Sequence, residues 1–530
     1  MSDSSCVSQL TKLASNAPVD AATVEYRSDG SVLIVSNGQI DPTALEASGI
    51  AARIVVAAGP GAALDPTGGD TAVRQVPARV VEMRGWLGQF VPAWSTALGD
   101  LRSNGVSGGD HEQFDIVIDL SDPPLIDRSV VPIGYFAPRD RQQLADALAQ
   151  AADLVGRFSK PKYFHYDPEI CTHQSFGQTG CTRCLEVCAA DAIRSDGDRI
   201  AVEPQLCQGC GACTLACPTG ALSYAGADRA DLLAQLDDAL GAAHGAAPVV
   251  LAGQLDTPFP APERDRIVEF PVQPLAAFGE ELWFAALARG AGRVVLLADA
   301  AIPAETRQLL DQRVAAARTI LEACGQPADG IALAQDRAQA VELIRGDPVQ
   351  PVPSPDDPSA HAPLPTQTKR ALLTGALARL ETTQRFEPAP LPAGAPLGTL
   401  LIDRDRCTLC SACAKICPTG AVRYADEDAD GQAKLGFAED LCVQCGACAQ
   451  GCPEQAITLQ PRIASAETRA HWRVLNAEPL ADCPDCGRGF MPRKLLEANI
   501  RRMTGPQTPA AAVEQMRRCP DCRHWRIRNP

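Results

Sequence analysis

Long apolar runs are missing from this chain of 530 residues. The longest, such as Val294–Leu297, fall far short of the roughly 20 apolar residues a membrane-crossing helix needs, so no membrane span is expected. Positive charge is also short: 48 Lys and Arg stand against 64 Asp and Glu, a formal net charge of −16. Phosphate binding needs a basic surface, which excludes nucleic acid as a partner. No G-x-G-x-x-G follows a candidate strand and no P-loop lysine motif occurs. The glycine pairs Gly59-Pro60-Gly61 and Gly290-Ala291-Gly292 read as turns. Histidine is down to seven residues, and no serine–histidine–acid pattern stands out. The first ten residues lack a basic stretch followed by an apolar core, so neither a secretory signal nor a twin-arginine start is expected.

Cysteine, by contrast, is abundant at 22 residues. In a small secreted domain that would mean disulfides, but here the chain is large and the cysteines cluster at metal-ligand spacing. A cytoplasmic location is expected, because a reducing compartment keeps thiolates free for metal. Sixteen of the cysteines fall in two blocks that contain an internal repeat. Cys207-Gln-Gly-Cys210-Gly-Ala-Cys213, followed by Cys217-Pro218, matches Cys442-Val-Gln-Cys445-Gly-Ala-Cys448, followed by Cys452-Pro453.

Three cysteines at this spacing wrap three corners of a [4Fe–4S] cube. The fourth reaches the neighbouring cube of a two-cluster ferredoxin. In the second block, one cluster is expected on Cys407, Cys410, Cys413 and Cys452, and the other on Cys442, Cys445, Cys448 and Cys417. The first block is irregular, because nine residues separate Cys171 from Cys181 and Ala189 replaces the usual proline after Cys188. The same rule gives Cys171, Cys181, Cys184 and Cys217 for one cluster and Cys207, Cys210, Cys213 and Cys188 for the other. A three-ligand [3Fe–4S] variant stays open if Cys171 does not reach. His173, in the insert, could bond the cluster, but a solvated loop histidine is the commoner case.

Two knuckles close the chain, Cys483-Pro-Asp-Cys486 and Cys519-Pro-Asp-Cys522. Four sulfurs in tetrahedral array suit one structural zinc, with a single rubredoxin-like iron as the alternative. Around them, Arg501 to Arg528 carries seven arginines against two acids. Of the remaining cysteines, Cys6 lies in the N-terminal tail, and Cys324 ends a helix whose apolar set predicts a core position.

The whole reads as an α+β multidomain chain. It would comprise two dicluster ferredoxin-like modules, two small α/β segments and a C-terminal four-cysteine module like a zinc ribbon. The predicted order is a disordered tail (1–20), an α/β domain (21–137), a connecting helix (138–164) and the first cysteine module (165–226). An α/β domain without redox cysteines (227–346), a proline-rich linker with a helix (347–397), the second module (398–461) and the zinc-binding module (470–530) follow. Nothing in this arrangement fixes one ferredoxin module against the other, so electron exchange between them is expected to depend on docking.

The stretch Tyr163-Phe-His-Tyr-Asp-Pro-Glu-Ile-Cys171-Thr-His-Gln, with Gly180-Cys181-Thr-Arg-Cys184-Leu, resembles a family of bacterial 4Fe–4S binding proteins. Genes for that family often lie beside those of formate dehydrogenase. Cys407-Thr-Leu-Cys410, Cys442-Val-Gln-Cys445-Gly and Cys483-Pro-Asp-Cys486-Gly-Arg fit the same family. Residues 246–346 are similar to the delta subunit of methyl-viologen-reducing hydrogenase, although Cys324 is the segment's one cysteine and that subunit's cluster cannot form here. The resemblance implies an electron-transfer polyferredoxin with four [4Fe–4S] clusters serving a larger redox enzyme, formate dehydrogenase first among candidates. Two other readings stay open. One is a subunit of a heterodisulfide-reductase-like complex; the other is a non-redox assembly or regulatory factor for a metalloenzyme.

Overall fold

The computed structural model describes residues 22–36, 54–57, 73–76, 79–96, 99–101, 113–175, 177–226, 228–242, 249–253, 259–264, 266–298, 302–346, 363–381, 386–425, 431–505 and 507–528. The expected tail 1–20, with Cys6, and linker residues 347–362 lie outside them.

Short apolar, β-branched runs become strands buried on both faces, as parallel sheets require. Five form a parallel sheet in the order Val73–Val76, Ile54–Ala57, Val32–Val35, Ile116–Asp119, Tyr135–Phe136. One face, with Val32, Ile34, Ile116 and Ile118, meets Leu148 and Ala151 of the helix Arg141–Asp153. The other, with Leu33, Val35 and Val117, meets Val80, Met83 and Trp94 of an antiparallel ribbon. The helix expected to connect residues 138–164 therefore belongs to this domain. The Asp140 carboxylate caps it by accepting from the Gln143 amide at 2.8 Å. Its Ala147–Leu148–Ala151 stripe turns it back onto the sheet. The chain then enters the first cysteine block through the strand Gly156–Pro161, paired antiparallel with Thr23–Ser28.

A second parallel sheet runs Ile267–Pro271, Val249–Gly253, Arg293–Leu297, Ile331–Ala334. Against it lies the helix Glu280–Ala288, every residue of which is buried. A helix apolar all round must be covered all round. The far side of this one is covered by the helix Lys369–Leu380.

That second helix overturns the expectation of independent modules. Its Leu372, Leu373, Ala376, Leu377 and Leu380 share one core with Trp283 and Phe284. The same core takes in Ala212, Leu215 and Ala216 of the first cysteine block, and Leu397 and Ile463 of the second. The Lys369 ammonium donates to the Thr214 and Leu215 carbonyls of the first block at 2.9 and 3.1 Å. The next residue, Arg370, donates to the carbonyls of Pro396, Glu439 and Asp440 around the second, at 2.7, 3.1 and 2.6 Å. The two blocks are held by a shared interior, and no docking step is needed to bring them together. The tail is continuous with the second block as well: the strand Arg473–Asp482 pairs with Gln432–Phe437 and extends that block's hairpin into one four-stranded sheet.

Leu377 is fully buried in the shared core. Leu377→Ala is expected to cost about 2–5 kcal/mol. Amide exchange should accelerate together in helix 212–216 and strand 457–463. Loosening of one block alone would show that the core is not shared.

Candidate metal centres

The three regular cysteine loops have a common backbone. Positive φ occurs at the third and fifth positions: Gly209 and Gly211 after Cys207, Leu409 and Ser411 after Cys407, Gln444 and Gly446 after Cys442. A left-handed residue between right-handed ones turns successive amide N–H groups to one side, a concavity that suits an anion. Leucine and serine accept this conformation at a cost, so the loop, rather than residue preference, dictates it. Gly209 has a second reason to lack a side chain, since a Cβ there would come within 2.7 Å of the Tyr163 ring. In each block one fourth cysteine accepts from an amide and the other has a threonine beside it, although in opposite order along the chain. The Ala192 and Ala456 amides donate to the Cys188 and Cys452 sulfurs at 3.2 and 3.3 Å. Thr219 and Thr419 sit beside the Cys217 and Cys417 sulfurs at 3.6 and 3.7 Å.

The enlarged Cys171 motif departs from this pattern. Its nine-residue gap folds as a small hairpin, Gln174–Ser175 against Gln178–Thr179. Cys184 is carried on the helical turn Arg183–Glu186 in place of a left-handed loop. His173 is buried, 2% exposed, contrary to the solvated loop position expected of it. Its Nδ1 lies 2.9 Å from the Cys181 carbonyl and its Nε2 2.8 Å from the Ser195 hydroxyl. The histidine thus fixes the base of the hairpin where it meets the cysteine. Cys171 is oriented by Tyr166, whose hydroxyl bonds its sulfur and accepts from the Ile200 amide at 3.3 Å.

The sulfurs gather as four sets. Burial pushes the Cys184 thiol up, with Cys217, Cys181 and Cys171 adding to it. Cys213 is raised by burial and then by Cys207, Cys210 and Cys188. In the second block, burial and the neighbours Cys410, Cys407 and Cys452 bring Cys413 up to about 12. Cys448 is raised by burial and by Cys442, Cys445 and Cys417. Two of these sets line spaces with largely apolar walls, including Leu409, Leu435 and Ile457 for one and Leu400, Val422 and Phe437 for the other. Four thiols around such a space, with amides donating to sulfur, fit an anionic iron–sulfur cube.

The sets form a row. Cys184 adds to the rise at Cys213 within the first block, and Cys413 adds to that at Cys448 within the second. Across the junction, burial and then its own loop neighbours act on Cys445, raised to about 11, and Cys181 of the first block adds to the rise. The insert hairpin builds this junction. A Cβ on Gly180 would sit 3.3 Å from Ala447, and one on Gly451 would sit 3.4 Å from Gln178. Arg183 Nη2 crosses the gap to the carbonyls of Ala395 and Gln444 at 3.3 and 3.2 Å. Sequence spacing alone did not single out Arg183, Tyr166 or the hairpin, although the misfit of the first gap was the available signal.

The tail differs in scale. The sulfurs of Cys483, Cys486, Cys519 and Cys522 all lie within 4.8 Å of one another, with Cys486 and Cys519 3.9 Å apart. A tetrahedral ion bound at about 2.3 Å spaces its sulfurs by roughly 3.8 Å. Among the described residues no other group of three such ligand atoms draws this close. Cys483 and Cys486 flank the turn of the hairpin Arg473–Asp482 and Gly489–Pro492, while Cys519 and Cys522 stand at the start of the helix Pro520–Arg528. Burial opposes ionisation of Cys483, but the amides of Cys519, Asp485 and Cys486 outweigh it and bring that thiol down to about 6. The ion pairs Arg488–Asp521 and Arg518–Asp485 tie the two knuckles together. Cys324, outside every set, is fully buried at the end of the helix Ala304–Ala323.

A family model described as the 4Fe-4S dicluster domain matches residues 179–221 and 406–456. Over 53 residues the chain is 47% identical to the isethionate sulfite-lyase activating enzyme of Oleidesulfovibrio alaskensis, a stretch amounting to 10% of this chain and 17% of that protein. Over 41 residues it is 41% identical to the Ferredoxin 7Fe of Hydrogenibacillus schlegelii, 8% of this chain and 53% of the relative. The chain thus covers less than two thirds of either relative. Two segments of the chain thus match a dicluster ferredoxin domain, and a four-cysteine site lies near the C-terminus. The first match starts at Thr179, so Cys171 and most of the hairpin lie outside it.

Cys410→Ser is expected to remove about 4 of about 16 irons, leaving the first block's absorbance intact. Iron and sulfide analysis of the anaerobically purified variant checks this. Loss from both blocks together would mean that the four sets are not separate centres.

Proposed function

We propose that the protein is a polyferredoxin that carries electrons along one fixed row of four [4Fe–4S] clusters for a larger redox enzyme. The row runs from the set Cys188, Cys207, Cys210, Cys213, through Cys171, Cys181, Cys184, Cys217 and Cys417, Cys442, Cys445, Cys448, to Cys407, Cys410, Cys413, Cys452. The observation that carries this reading is the junction itself, where Arg183, beside Cys184, donates to the carbonyl of Gln444, beside Cys445, at 3.2 Å, so that two modules of distant sequence are adjacent. Each [4Fe–4S] cluster supplies a site that takes up and releases one electron. The chain's own residues do the rest. Apolar walls exclude water, loop amides face the anion, and the Lys369–Arg370 pair keeps the two modules in register.

Partners would dock at the two ends of the row. Beside Cys407 an open groove is lined by Arg406, Lys494, Arg501 and Arg502 with Asp405, Glu454 and Glu497. A second groove, lined by Tyr26, Arg27, Trp86, Asp115 and Arg157, reaches Gln205, two residues before Cys207. The arginine-rich end would favour a partner with an acidic face. Formate dehydrogenase as that partner rests on the motif resemblance alone. In the tail we assign structural zinc, because the paired knuckles close a four-sulfur site on a hairpin and a helix without leaving an open position.

Two experiments test the reading. In stopped flow, with a reduced acidic plant-type ferredoxin as probe, entry of the first electron should slow as salt rises. Its spread over all four clusters should not depend on salt. A transfer step between modules that itself slows with salt would overturn the fixed row. Cys486→Ala should release one zinc and unfold the segment after about residue 483 with little change in iron content. A tail that turns red and reduces reversibly would be an iron site instead.

A further inference from the structure

The first Cys-x2-Cys pairs of the two blocks share their cysteines and a threonine but differ at the third position. Cys407-Thr408-Leu409-Cys410 corresponds to Cys181-Thr182-Arg183-Cys184. Leu409 is an apolar wall residue, 2% exposed, in the left-handed region at φ 57°. Arg183 instead opens a helical turn and sends its guanidinium across the junction to the Ala395 and Gln444 carbonyls. Gln444 belongs to the loop between Cys442 and Cys445.

Three further observations define what this cation does. It stands between Cys181 and Cys184 in the chain, and the Gln444 carbonyl it reaches at 3.2 Å stands between Cys442 and Cys445. Its Nη1 is buried with no hydrogen-bond partner, a donor left over in a site flanked by two anionic centres. Of the other charges nearby, Arg313 and Glu280 form an ion pair at 3.5 Å, while Arg370 is a second cation close by. Other buried cations each face a single set: Lys160 donates to the Cys207 carbonyl at 2.6 Å, and Arg370 acts on Cys442. Arg183 faces two.

We propose that Arg183 is a shared electrostatic bridge. It is a permanently charged guanidinium that makes both inner clusters of the row easier to reduce and thereby sets the midpoint of transfer between the modules. The inference rests on the four-cluster reading above. Reduction adds one negative charge to a cluster, and a fixed cation in a dry site stabilises the reduced form. Arginine suits the role because it stays protonated when buried and its fork can bond two carbonyls while facing a sulfur. Arg183 neither gains nor loses electrons itself; it is a positioning residue.

Potentiometric titration followed by EPR tests this on the full chain. Arg183→Gln keeps an N–H donor without the charge, and Arg183→Lys keeps the charge without the fork. In the glutamine variant two of the four midpoints should fall, each by about a tenfold loss of electron affinity, which is about 59 mV for a one-electron couple. The lysine variant should recover most of that shift, and the outer two midpoints should stay in place. A glutamine variant with no shift, or with one cluster shifted alone, would overturn the bridge. Iron analysis of the unaltered chain separates the premises. Fewer than four clusters sinks the row itself, whereas full iron with unmoved midpoints sinks this inference only. Should Arg183→Gln lose iron, Arg183→Lys with full iron but two lowered midpoints would likewise count against a purely electrostatic role.

Discussion

Two neighbouring buried cations hold the halves of this molecule together. A cation removed from water is costly unless its donors find partners, and only particular backbone positions supply them. Lys369 finds the carbonyls of Thr214 and Leu215 in the last turn of the helix Ala212–Ala216, where the helix dipole also favours positive charge. Arg370 finds three carbonyls around the strand and turn that lead to Cys442. Because the two residues are adjacent in the chain, satisfying both fixes one module against the other.

The same electrostatic constraint recurs wherever a thiol set sits. An anionic centre inside a protein needs compensating donors close by, and these thiol sets have them in two forms. Loop amides turned inward by left-handed residues serve each regular motif, even at Leu409, Ser411 and Gln444, where a side chain makes the turn unfavourable. Buried cations serve where loops meet other domains: Lys160 at Cys207, Arg183 at the junction and Arg370 at Cys442. A formal charge of −16 over the whole chain is therefore compatible with a locally cationic lining for the clusters.

Much of the local structure was legible in the sequence because local rules produce it. The runs Ser31–Val35, Phe114–Ile118 and Val294–Leu297 read as buried strands, and the structure has strands at Val32–Val35, Ile116–Asp119 and Arg293–Leu297. The cysteine spacing marked both dicluster blocks. What stayed hidden depends on contacts between residues far apart. The Arg183 bonds span 212 and 261 positions, and no periodicity in a single segment reports them. The helix Lys369–Leu380 has little amphipathic pattern, because it is covered on several sides and its polar residues are spent on carbonyls within the core. His173 misled for a related reason. A histidine in a glycine-containing insert usually faces water, but this insert is a packed hairpin wedged between two modules.

The repeat offers a way to separate what a cluster needs from what this chain adds. Features that recur in both blocks whatever their place in the repeat, such as an amide donated to one fourth cysteine and a threonine beside the other, belong to holding a thiol set as such. Features in one copy alone answer to position in the larger molecule. The hairpin after Cys171 lies where the first block meets the second, and so does the arginine that replaces the leucine of the other copy. Equivalent surface on the second block is instead occupied by the tail. There Arg502 pairs with Glu454, and Lys494 donates to the Arg404 carbonyl at 3.0 Å while pairing with Glu478. The two copies of one module thus diverged by what each must touch. The end that carries the tail presents arginine to solvent, whereas the end that meets its sibling buries it.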